Sequence, residues 1–281
     1  MAGLDGGRWS RRWAAVPALA LAVTGCTTAA SPSSHPPGAS TPGGQAVTIS
    51  AAQHRFTVVL SAEARQLASS TDINLSRQAA SALDRIDALL PGPPTTIFVN
   101  TGPGNPSDLI PQIGTGGFTT RSGVVQIQLG RTAQSSLART IGLWFPRDMA
   151  HEVNHSVRIL NGPGVGTTLL PQIVTEGIAT TFDQAAFPGT PDPWTQAITR
   201  TQECALWKKV KPELADAGLY QQWMFGGFGV PHWTAFTIGY HIVNDYRNRH
   251  PNVSWGQLTA ASATAILAGS HYQPCPPLGS G

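Results

Sequence analysis

The pentapeptide His151-Glu152-Val153-Asn154-His155 constrains this chain more than any other stretch. Two imidazoles four residues apart share one face of a helix, because a helical turn takes 3.6 residues. Such a pair can hold one divalent ion, with Glu152 one step round and facing the ion's open coordination position. Leu143, Trp144, Met149, Ala150, Val153, Val157 and Ile159 give the motif an apolar setting, and the one nearby breaker is Pro146. A dry setting is what makes a metal-activated water acidic enough to attack at neutral pH.

Glu176 follows His155 by 21 residues, in Thr175-Glu176-Gly177-Ile178-Ala179-Thr180-Thr181-Phe182, an apolar helical stretch that starts near Leu169. A carboxylate on an apolar helix is costly to bury unless it is paired or metal-bound. His151, His155 and Glu176 would complete a three-ligand catalytic zinc site of gluzincin type, with one position left for water and one Zn2+ ion. The metzincin pattern fails, because its third histidine would fall at Asn161 and its glycine at Arg158. A structural zinc site lacks an evident fourth ligand.

The surrounding pattern reads as α+β, a small N-terminal sheet lobe followed by a mainly helical lobe that carries the motif. Phe56 to Leu60 could be a strand or the start of a helix, while Leu75, Ala79, Ala82, Leu83, Ile86 and Leu90 recur at helical spacing and stop at Pro91-Gly92-Pro93-Pro94. Thr95 to Val99 reads as a buried strand, followed by a Gly/Pro/Asn-rich loop at 101–106. Phe118 to Thr120 and Val124 to Leu129 read as a strand pair about Arg121-Ser122-Gly123. Helices are expected near 134–160, 167–187, 194–217 and 230–249, and no internal repeat is present.

Arg8, Arg11 and Arg12 precede the apolar run Trp13 to Val23, which has the length of a signal-peptide h-region and is too short to span a bilayer. It ends in Val23-Thr24-Gly25-Cys26, similar to the lipobox of bacterial lipoproteins, in which the cysteine is lipidated. Residues 1–25 are thus expected to be a lipoprotein signal peptide, exported by either the general or the twin-arginine route. Residues 26–46, free of Asp, Glu, Lys and Arg and rich in Ser, Thr, Pro and Gly, read as a tether, and 47–281 as the folded domain. The expected location is the cell membrane, on its extracytoplasmic face. Removing Arg8, Arg11, Arg12 and Asp5 from the chain's 18 Lys and Arg and 15 Asp and Glu leaves 15 against 14. A nearly neutral protein is not a nucleic-acid binder. Lys208, Lys209 and Lys211 form the one tight basic cluster and read as a solvated helix face. With Cys26 lipidated, Cys204 and Cys275 remain, either as a disulfide or as two buried thiols.

Three blocks in order, Met149 to Arg158 (MAHEVNHSVR), Leu169 to Phe182 (LLPQIVTEGIATTF) and Pro231 to Tyr246 (PHWTAFTIGYHIVNDY), resemble a family of bacterial predicted Zn-dependent proteases related to the gluzincins, over residues 135–268. The resemblance implies that His151, His155 and Glu176 bind zinc and that Glu152 is the general base. The family tends to carry an acidic residue four positions after the third ligand, where this chain has Thr180. The carboxylate that orients a zinc histidine is then open between Asp148 and Asp183, either of which could instead only cap or solvate a helix. In enzymes of this kind a tyrosine or histidine of a later helix donates to the oxyanion, which nominates Tyr240 first and His241 second; each could instead be a core residue. Val124 to Leu129 stands where an edge strand binds extended substrate in zincins, the alternative being an ordinary core strand. His54, His232, His250 and His271 lack a partner at metal spacing and read as surface or loop residues.

The function expected from these features is a membrane-anchored zinc metallopeptidase acting on a peptide or protein substrate through zinc-bound water activated by Glu152. The alternatives are a zinc-binding lipoprotein that serves as a binding or scaffolding module, and a metal-dependent hydrolase of a non-peptide bond.

Overall fold

A computed structural model describes residues 45–101, 110–132 and 134–275. The leader, Cys26, nearly all of the tether and most of the 101–106 loop lie outside the described residues. Among the described residues no helix is long and apolar enough to cross a membrane.

The first part is a five-stranded sheet built from β1 (Val47–Ala51), β2 (Phe56–Leu60), β3 (Thr95–Asn100), β4 (Thr115–Arg121) and β5 (Val124–Leu129) in the order β1-β2-β3-β5-β4. β2, β3 and β5 run parallel, and the two outer strands are antiparallel to their neighbours. Phe56, Val58 and Leu60 alternate inward on β2, which settles that segment as a strand. Between β2 and β3 the chain forms α1 (Ala62–Ala68) and α2 (Leu75–Leu89). The apolar stripe Leu75, Ala79, Ala82, Leu83 and Ile86 buries α2, and Asn74 caps it by accepting from the Arg77 amide.

After the short helix α3 (Leu137–Arg139), a π-helical turn Thr140–Trp144 leads into α4 (Phe145–Asn161), so the single helix expected over 134–160 is three pieces. Pro146 stands in the first turn of α4, where a missing N–H leaves no bond unmade. The remaining described residues are mainly helical: α5 (Leu169–Ala186), a 3-10 turn Pro193–Gln196, α6 (Arg200–Val210) with a 3-10 turn Lys211–Glu213, α7 (Tyr220–Phe225), α8 (Thr234–Arg249), α9 (Trp255–Ala260) and α10 (Ala263–Ser270). Trp207, Val210, Trp223, Ile238, Ile242 and Ile266 join α5 residues in a core separate from the one beneath the sheet. The architecture is therefore α+β.

α4 is the central element, buried along nearly its whole length from Phe145 to Arg158. Met149, Val153 and Val157 pack into the core of the sheet. Its polar residues are held by neighbours on every side: Ser156 Oγ accepts from the Gly123 amide at 2.7 Å, Asn154 donates to Thr259, and buried Arg158 donates to Thr175 Oγ1 and to the carbonyls of Thr259 and Ala261. α5 and α8 meet backbone to backbone. A methyl added to Gly239 would stand 2.1 Å from the Ile173 carbonyl oxygen, and one on Gly177 would stand 2.2 Å from that of Gly239.

Candidate metal centre

His151 and His155 lie one turn apart on α4, their rings 4.7 Å apart and nearly perpendicular. Glu176 comes from α5, which packs against α4. Its Oε2 is 3.2 Å from His151 Nε2 and 3.5 Å from His155 Nε2, and the three ligand atoms lie within 4.8 Å of one another. Ligands about 2.0–2.2 Å from a tetrahedral zinc stand roughly 3.3 Å from each other, so the two shorter separations match the edge of that coordination figure. Two imidazoles and one carboxylate form the donor set of a catalytic site with one position open. Burial alone would raise Glu176, but His155 and His151 hold its carboxyl well below the usual range. Burial pulls His151 down, yet its hydrogen bonds to Asp183 and Glu176 prevail and place it well above 6.5.

The choice between Asp148 and Asp183 resolves geometrically. Asp183 Oδ2 lies 3.1 Å from His151 Nδ1, so the buried carboxylate fixes the ring with Nε2 toward Glu176. Asp148 instead accepts from Thr115 Oγ1 at 2.7 Å, and burial together with Glu152 pushes it up to about 7. Thr180 accepts from Trp194 Nε1 at 3.0 Å and touches neither histidine by hydrogen bond. Behind Asp183 stands Asp192, which sequence reasoning missed because it belongs to a Pro/Gly-rich turn without motif spacing. Arg147 donates to Asp192 across 3.0 Å, a contact that would favour a carboxylate, yet burial and Asp183's charge raise Asp192 to about 9. Two buried carboxyls cannot both be charged, so the pair shares one proton at neutral pH and Arg147 balances the charge that remains.

Glu152 is buried at the opposite side of the histidines, against β4. Thr119 Oγ1 lies 2.8 Å from both Glu152 Oε2 and the Glu152 carbonyl oxygen, so its one proton serves either acceptor. Gly117 makes that approach feasible: a methyl there would stand 2.6 Å from Glu152 Cγ. The strand beside the site is therefore β4. Val124 to Leu129, expected at the edge, is sandwiched between β3 and β4, because the hairpin after Arg121 folds β4 outside it.

A cavity of about 1100 Å³ opens over these groups, lined by Gly116, Gly117, Phe118 and Thr119 on one side and by Tyr220, Gln221, Phe225, His232, Trp233 and Phe236 on another. Tyr240 and His241, nominated as oxyanion donors, are not among the residues that line it. His241 Nδ1 instead lies 2.7 Å from Glu203 Oε1, where Tyr272 also donates and Arg200 bonds the second oxygen. The tyrosine in the cavity is Tyr220, at the start of α7, where burial and the charges of Glu176 and Glu152 keep its hydroxyl protonated. No spacing rule points to it; only the fold brings α7 over the site. His232, read as a loop residue, is exposed but also lines the cavity. His54, His250 and His271 are exposed, as are Lys208, Lys209 and Lys211. Cys204 and Cys275 are joined as a disulfide across 71 residues, which ties the C-terminal segment to α6.

The family described as predicted Zn-dependent protease (DUF2268) matches residues 75–268. The match begins at α2 and so takes in β3, β4 and β5, a wider span than the three sequence blocks indicated. No curated protein and no solved structure matches the chain. With a histidine pair and a glutamate converging as a zinc-type donor set inside the matched span, this chain belongs to the family of predicted Zn-dependent proteases.

Proposed function

We propose that the chain is a zinc metallopeptidase, anchored through Cys26 to the extracytoplasmic face of the membrane, that hydrolyses peptide bonds with Glu152 as general base. The observation that carries this reading is the placement of Glu152 in the same cavity as the His151, His155 and Glu176 donor set, against β4, the last strand of the sheet. A zinc ion held by the three ligands would supply the Lewis acidity that polarises both the scissile carbonyl and a water.

Glu152 then takes a proton from that water and returns it to the departing amine, while Thr119 holds its carboxylate in place. An extended substrate adds to the outer edge of β4 beyond the Ile110–Thr115 bridge by main-chain hydrogen bonds, which sets the scissile bond beside Glu152. Tyr220, protonated and facing both glutamates, is the donor available to a developing oxyanion. Asp183 keeps His151 in the tautomer that presents Nε2.

The test is metal analysis of the purified chain followed by digestion of a peptide library, with Glu152→Gln and Cys26→Ser as controls. Stoichiometric zinc, cleavage abolished by Glu152→Gln with zinc retained, and release of Cys26→Ser from membranes are expected. Zinc without cleavage of any peptide would leave a binding module as the reading.

A further inference from the structure

One wall of the cavity, next to His151, is aromatic and is assembled from separate elements. Trp144 ends the π-helical turn, Trp194 belongs to the 3-10 turn Pro193–Gln196, and Trp233 and Phe236 open α8, with Ile113 packed among them. Trp194 is central: its ring lies 6.4 Å from that of His151, 6.0 Å from Trp233 and 6.4 Å from Phe236. Thr180 accepts its indole N–H, so the ring is fixed and its donor is already used. Trp233 and Phe236 are only partly buried.

Trp233 also sits at a place where its own backbone gains nothing from it. It is the residue before α8, in the left-handed region at φ +63°, and it makes no capping hydrogen bond. Ser, Asp or Asn would cap better, and a left-handed conformation is costly for a residue with a large side chain. The indole's position in the cavity wall is what this arrangement achieves. Two arginines stand over Trp144 and both are engaged: Arg147, at 5.4 Å, donates to Asp192 and to the carbonyls of Phe187 and Thr190, and Arg139, at 5.6 Å, donates to Thr190 Oγ1.

We infer that this wall is a specificity subsite for one bulky apolar side chain of the substrate, aromatic before aliphatic, beside the scissile bond. The inference rests on the peptidase reading above and deepens it. A peptide extended along β4 turns alternate side chains to the same face, so one of them enters the cavity next to His151. Indole rings receive an aromatic ring edge to face, whereas an ionic side chain laid against them would lose its water.

The test separates binding from hydrolysis. The full chain carrying Glu152→Gln, loaded with zinc, is titrated with the capped peptides Ac-Gly-Gly-Xaa-Gly-amide, Xaa being Phe, Leu, Ala, Lys or Asp. The Phe peptide should bind about tenfold or more tighter than the Ala peptide, as expected for burying an aromatic side chain, with Lys and Asp no better than Ala. Phe236→Ala should shrink the Phe-to-Ala ratio to about threefold or less with zinc content unchanged, and the milder Phe236→Leu should fall between. Equal binding of the Phe and Ala peptides, tighter binding of the charged ones, or no binding of any peptide overturns the subsite. Library digestion by the unmodified chain reports separately: cleavage without apolar preference overturns the subsite alone, and preferential binding without cleavage overturns hydrolysis alone.

Discussion

Thr119 on the edge strand reaches Glu152 on the buried helix, Oγ1 to Oε2 at 2.8 Å, and so couples the strand that would hold a substrate to the residue that would act on it. A hydrogen bond to a charged group contributes about 1.5–3 kcal/mol. Thr119→Val should lower kcat by roughly 10- to 100-fold while leaving zinc content unchanged, because Glu152 is not among the ligands. Thr119→Ser keeps the hydroxyl and should retain most of the rate. Steady-state kinetics of both variants on one peptide decides the matter, and equal losses in the two would mean that Thr119 matters by shape instead.

Asp183 holds His151 through Nδ1, and Asp183→Ala should weaken zinc binding by about 10- to 100-fold. The same hydrogen bond helps to raise His151 above 6.5 in the metal-free chain. A raised histidine stabilises the folded state fully below 6.5, and that contribution is lost as pH rises through the folded value. The proton it holds must leave before a metal enters, so zinc affinity should climb with pH across the same range. Calorimetric titration with zinc in buffers of different ionisation enthalpy should show proton release near neutral pH, diminished in Asp183→Ala. Binding that is independent of pH would remove His151 from the ligand set.

The metal-type triad and the sheet-then-helix order are legible in the sequence because both rest on local periodicity. The four-residue step from His151 to His155 fixes a shared helix face, and the run Thr95 to Val99 reads as a strand, whereas Phe56 to Leu60 reads equally as a helix start until its burial is seen. What is not legible depends on chain reversal. Whether Val124 to Leu129 or its hairpin partner lies outermost is decided by which side of β5 the turn at Ser122-Gly123 folds, and no pattern within either strand records that. Tyr220, at the start of α7, and Asp192, in a turn, enter the site from segments far along the chain. Tyr240 and His241 looked suitable because they are polar residues in an apolar helix, but that pattern serves equally for a histidine that pairs with Glu203.

The glycine pair between α5 and α8 carries Glu176 at its required depth. Gly239→Ala would force a methyl to within 2.1 Å of the Ile173 carbonyl oxygen, a backbone atom that cannot rotate away. Separating the two helices enough to relieve the clash would cost about 1–3 kcal/mol or more and would shift Glu176 from the histidines. A lowered melting temperature together with reduced zinc affinity is expected, the second effect distinguishing this position from an ordinary core clash. Thermal unfolding with and without zinc checks it: if the stabilisation by zinc equals that of the unmodified chain, the helix contact does not position Glu176.

Glu203 gives the helical part its own response to acid. Burial would raise its pKa, but hydrogen bonds from His241 and Tyr272, the charge interaction with His241 and the bond from Arg200 together hold it below its ordinary 4.5. A carboxylate lowered in the folded state stabilises the protein fully above the unfolded value, and that contribution disappears as pH falls through the folded value. Its partner Tyr272 packs on Trp207 at 4.9 Å and belongs to the segment that Cys275 ties to α6, so the network and the disulfide fix the same end of the chain. Glu203→Gln should therefore cost on the order of 1–3 kcal/mol at pH 7, where the charged form makes all its bonds. The difference from the unmodified chain should shrink once the pH drops below about 4.5, because the unfolded chain's carboxylate then takes up a proton that the native one, held lower, does not. Denaturant unfolding at pH 7, 5 and 3.5, with the disulfide intact throughout, measures both quantities. A destabilisation that stays constant over that range would mean that Glu203 acts by packing and not by charge.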